Sequence, residues 1–145
     1  MDINAKIKEL IDKDKWTIIF VSGDDKTPPI AYSVGLTELF DHPEVVFSGL
    51  PPKTASAIIN IVGERVREGN RFNSGEFYDK LADGFSLKFQ KIESKSVRDS
   101  FSIASQRYKL DGFEMLQVIW PDSNGIIHSN STPAQMLFSP QPELN

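Results

Sequence analysis

Hydroxyls, a histidine and three carboxylates crowd into residues 31–52, AYSVGLTELFDHPEVVFSGLPP. Tyr32, Ser33 and Thr37 surround Gly35. A strand end of small and hydroxylated residues can receive a phosphate or the edge of a flavin ring, and glycine lets a ligand approach the backbone closely. The same glycine also suits a sheet corner whose backbone angles other residues resist. His42 and Glu44 stand two residues apart and offer an acid–base pair of the kind a hydrolase uses. Alternatively, His42 is a turn residue whose ring bonds a backbone carbonyl. A second stretch, LQVIWPDSNG at 116–125, carries Trp120 and Asp122. Trp120 suits either the core or a stacking platform. Asp122 suits a turn in which its side chain bonds its own backbone.

Familiar reaction motifs are missing from the sequence. There is no phosphate-binding GxxxxGKS or GxxxxGKT, no dinucleotide GxGxxG and no GxSxG nucleophile elbow. The absence of cysteine excludes disulfides, thiolate metal ligands and cysteine nucleophiles. Only His42 and His128 supply imidazole. A zinc site would need both, with a carboxylate such as Glu44 or Asp122 brought to them by the fold, and no metal site is expected. Asp24 and Asp25 fall in a turn, and Asp41 and Glu44 flank His42, so no carboxylate pair can be assigned to acid–base work.

The elements that would hold these residues follow from hydropathy patterning. Ile3, Ile7, Leu10 and Ile11 lie on one stripe of a helix over 2–14, which Asp2 can cap. WTIIFVS (16–22) reads as a buried strand. GDDKTPP (23–29) is a turn, and IAYSVG (30–35) returns as the second strand of an antiparallel hairpin. Residues 36–43 read as a loop or short turn, and EVVFSG (44–49) as a third strand. Ala55, Ile58, Ile59, Val62 and Val66 repeat with helical period over 54–68, and Gly69 stands where a terminating glycine belongs. Residues 70–84 are mixed, a short helix or a loop. FSLKFQKI (85–92) is a half-exposed strand, 96–108 a helix, FEMLQVIW (113–120) a strand, 121–125 a turn, and 126–128 the start of a returning strand. The tail 136–145 reads as loose. Short antiparallel strands dominate. The expected fold is therefore α+β: a single domain over 1–145 with an antiparallel sheet or small split barrel flanked by helices.

With 145 residues, 39% of them hydrophobic and 25% charged, the chain is long and apolar enough for one core. Its net charge of −4 lacks the basic footprint of a nucleic-acid binder. Arg65, Arg67 and Arg71 are interleaved with Glu64 and Glu68, as on a solvated helix face. No apolar run approaches the ~20 residues that span a bilayer, and the first residues lack the pattern of a signal peptide. A cytoplasmic protein that binds neither nucleic acid nor membrane is expected.

Together, Trp16 and its apolar strand, PPIAYSVGLTELFDHPEVVFSGLP, the helix ending VREGNRF and the late LQVIWPDSNG resemble the bacterial family known as domain of unknown function 4262, over about 16–135. In one place the chain departs from that resemblance. Where such proteins continue with an aromatic Pro-Trp-Asp-like segment, residues 126–130 read IIHSN. A looser similarity in element order links the chain to split-barrel flavin-binding proteins. That similarity implies FMN or a related phosphorylated ligand at the interface of a homodimer. Tyr32, Ser33, Gly35 and Thr37 would lie near the phosphate or ring, Arg67 and Arg71 would pair with the phosphate, and Trp120 would pack on the ring. The acidic charge and the lack of a catalytic constellation favour a different class: a non-enzymatic interaction or regulatory protein that docks a protein partner.

Overall fold

The computed structural model describes residues 3–23, 29–82, 85–93, 101–108 and 113–120. In chain order the elements are α1 (Ile3–Asp12), β1 (Thr17–Val21), β2 (Ile30–Val34), α2 (Leu36–Phe40), β3 (Glu44–Ser48), α3 (Pro52–Arg67), β4 (Phe77–Ala82), β5 (Phe85–Lys91), α4 (Ser102–Arg107) and β6 (Met115–Ile119). The six strands form one sheet in the order β1-β2-β3-β6-β5-β4. Four of its five pairings are antiparallel, and the central one, β3 with β6, is parallel. The expected α+β class holds, and among the described residues the sheet is open, with β1 and β4 at its edges.

Alternation along the strands sorts side chains to two faces. On one face Ala31, Val45, Phe47, Leu116 and Val118 pack against the buried stripe of α3: Ala55, Ile58, Ile59, Val62 and Val66. On the other, Tyr32, Val34, Val46 and Met115 meet Ile7 of α1 and Phe101, Ala104 and Tyr108 in and around α4. The register agrees, since Ala31 opposes Phe47 while Tyr32 opposes Val46. The sheet is thus the middle layer of three.

Three readings need correction. β1 is an edge strand, not a buried one: Phe20 is 50% and Val21 48% exposed. An apolar run signals a strand without saying where in the sheet it sits. Residues 36–40 form a helix, which ends where Asp41 turns left-handed at φ 53°. Residues 77–82 form strand β4, where a short helix or loop was expected. A register irregularity between Tyr78 and Ala82 breaks the two-residue alternation. Tyr78 and Leu81, three apart, then reach the same core, and that spacing imitates a helix. Helix α3 also begins two residues earlier than expected, with Pro52 in its first turn, where the missing N–H has no helical partner to lose. The cap Asp2, the turn at 24–28, the first residues of the 96–108 helix, and everything from 121 onward, including Asp122, His128 and the IIHSN segment, lie outside the described residues.

Candidate functional site

Glu44 begins β3 beside the end of β2, and its side chain is fully buried. An ionised carboxylate there needs donors on both oxygens. Oε1 accepts the Ser33 hydroxyl at 2.7 Å and the Leu36 amide at 3.2 Å. Oε2 accepts the Gly35 amide at 3.1 Å, the Thr37 amide at 3.0 Å and the Tyr108 hydroxyl at 2.8 Å. Three of these five donors are backbone N–H groups at the entry to α2, which would otherwise be orphaned at a helix start. Glu44 therefore caps α2 from an adjacent strand. Burial raises its pKa, and the bonds from Thr37, Ser33, Tyr108 and Gly35 pull in the opposite direction. The Ser33 hydroxyl also accepts the Val45 amide at 3.0 Å, so its proton is directed to Glu44. Burial and the negative charge of Glu44 raise the pKa of Tyr108, which keeps that phenol protonated as a donor.

Gly35 makes this arrangement possible in two ways. Its φ of +129° suits no side chain well, and an added Cβ would lie 2.9 Å from the Trp16 Cα. The corner reading of this glycine is the one the geometry fits.

His42 lies behind the carboxylate site, 1% exposed. Its Nδ1 is 2.8 Å from the Pro43 carbonyl, and its Nε2 is 3.0 Å from the Phe72 amide. A carbonyl only accepts and an amide N–H only donates, so the proton sits on Nδ1 and the ring is neutral. Burial lowers its pKa; the Pro43 carbonyl opposes this and the Arg71 charge adds to it. Thr37 Oγ1 donates to the His42 carbonyl at 2.9 Å. Both His42 nitrogens and both Glu44 oxygens are thus engaged within the protein, and the two residues do not bond each other.

The profile of the family described as "Domain of unknown function (DUF4262)" matches residues 10–127. The chain belongs to this family. No curated protein and no solved structure matches it. The DUF4262 match spans the whole Glu44 cluster, from Ser33 to Tyr108.

The other expected site residues of this DUF4262 chain are dispersed. The Tyr32 hydroxyl accepts the Ile103 amide at 3.3 Å on the α1/α4 face. Arg67 stacks over Trp16 at 5.0 Å and bonds the Asp14 carbonyl and Glu64. Arg71 donates to the Asp41 carbonyl at 2.8 Å. Trp120 is buried in the α3-side core beside Phe47, ring centroids 6.3 Å apart. The fold gathers Ser33, Gly35, Thr37 and Glu44 around one point, with His42 adjoining. Arg71 lies near His42, where its charge acts on the ring, while Tyr32, Arg67 and Trp120 make their contacts elsewhere.

Two participants escape a reading of the sequence. Tyr108 is 64 residues from Glu44, and no local spacing announces their contact. Trp16 is held against α3 through Gly63, where an added Cβ would lie 2.3 Å from the indole, and its Nε1 donates to Asn60 Oδ1 at 3.0 Å. A glycine inside a strongly periodic helix was the available signal.

Proposed function

We propose that this protein is an interaction module that takes an extended segment of a protein partner along the free edge of β1. The observation that carries the reading is the contrast between the two sheet edges. β4 carries Asp79 and Lys80 in its sequence and an irregular register, devices that discourage pairing. β1, TIIFV, has neither charge, proline nor glycine, and among the described residues it pairs with β2 alone. Phe20 and Val21 stand half-exposed on its opposite faces. An unpaired edge offers backbone hydrogen bonds for affinity, and alternate side chains add specificity. The internal engagement of Glu44 and His42 supports a non-enzymatic role. A second copy of the chain can pair in the same way about a two-fold axis, which would give a homodimer. The FMN reading gains no support from the positions of Arg67 and Trp120.

Phe20→Lys is the test. It places a charge on the edge without disturbing either buried face. Affinity capture with the wild type and the variant, alongside sedimentation equilibrium of each, is expected to show a bound protein or a self-associated state that Phe20→Lys abolishes. A partner retained equally by both would refute edge docking.

A further inference from the structure

Helix α4 is fastened to the rest of the molecule in an unusual way. It has six residues, too few to be stable alone, and its N-terminus has no side-chain cap. Its apolar hold comes from Phe101, Ala104 and Tyr108, one anchor at each end and one in the middle. Its polar hold is equally concentrated. The Ile103 amide donates to the Tyr32 hydroxyl, Arg107 makes a two-pronged pair with Glu38 of α2, and Tyr108 donates to Glu44 while accepting the Gly35 amide at 3.1 Å.

From this geometry we infer that α4 is a latched strap, opening as a unit from an intact sheet, with the Tyr108–Glu44 bond as its catch. Two features make separate opening inexpensive. The strands beneath α4 keep their own ladder, because none of their pairing partners belongs to α4. Opening also returns the buried Glu44 carboxylate and the Tyr108 phenol to water, which offsets part of the lost bonding. The apolar surface uncovered would be that of Tyr32, Val46 and Met115. This device is independent of docking at β1 and stands or falls separately.

Native-state hydrogen exchange of the full chain tests it. The Ser105 and Tyr108 amides, which donate to the Phe101 and Ala104 carbonyls, report α4; Val46 and Leu116 report the sheet. Tyr108→Phe removes the catch and keeps the ring. In the wild type the α4 reporters are expected to exchange faster than the sheet reporters and with a shallower urea dependence, and Tyr108→Phe, whose lost bond is broken in α4 opening and in global unfolding alike, is expected to speed the α4 reporters about tenfold, as for loss of one charge-assisted bond, without steepening that dependence. Glu38→Gln, which weakens the second fastening from a half-exposed position, should move the same reporters by less and serves if Tyr108→Phe fails to fold. A common rate and urea dependence for strap and sheet reporters in the wild type would overturn the inference, as would no change at α4 in Tyr108→Phe.

Discussion

His42 makes stability depend on pH in a direction the structure fixes. Its Nε2 accepts an amide proton and cannot also carry one, so protonation breaks the bond from Phe72. Burial lowers the folded-state pKa below the ordinary 6.5. The unfolded chain therefore takes up the proton first. The stabilisation is complete above the ordinary histidine range and is lost as pH falls below it. Between about pH 7.5 and about pH 5.5 the loss has a ceiling of about 1.4 kcal/mol, reached when the folded ring stays neutral throughout. Urea unfolding at both pH values should show the wild type losing up to that amount. His42→Gln keeps an acceptor for the Phe72 amide but does not titrate, so its curve should be flatter by the same margin. If His42→Gln keeps the full slope, the neutral-ring geometry is wrong.

Glu44 should act in the opposite sense. Its raised pKa means that ionisation is harder in the folded state, so the stability of wild type relative to Glu44→Gln should fall as pH rises from about 4.5 until the folded group has ionised. The glutamine amide faces N–H donors, and urea midpoints near pH 4.5 should show Glu44→Gln less stable by about 3 kcal/mol, a gap that narrows as pH rises. Gly63→Ala pits a helix-propensity gain of about 1 kcal/mol against overpacking of Trp16 by about 1–3 kcal/mol. Net destabilisation with an altered tryptophan emission spectrum is expected, and a plain gain in thermal stability would contradict the close contact.

Much of the fold was legible because its signals are local. The α3 stripe, the β1–β2 hairpin and the alternation of β5 each lie within one short window of sequence. β4 was not legible, because its register break gives Tyr78 and Leu81 a helical spacing. Nor was the edge position of β1, since pairing order is a non-local property. The site divides in the same way. The segment from Ser33 to Glu44 drew attention through its composition, and the fold does assemble it around one carboxylate. What composition could not supply was the direction of its hydrogen bonds. A hydroxyl, a histidine and a glutamate at close spacing suit a reactive centre and an internal cap equally well, and only the partners tell them apart. Tyr108 completes that cap from a distant segment, beyond any spacing rule.

The parallel pairing of β3 with β6 has a consequence for how the chain folds. It joins Glu44 to Met115, a separation of 115 − 44 = 71 residues. The strands on either side form two antiparallel runs, β1-β2-β3 and β4-β5-β6, each closed by nearer neighbours. The molecule is two meanders joined along one seam. Closing that long loop carries the largest entropic cost of any strand pairing here, so assembly must wait on it. Changes along the seam should therefore slow folding, whereas changes at the outer strands should mainly speed unfolding.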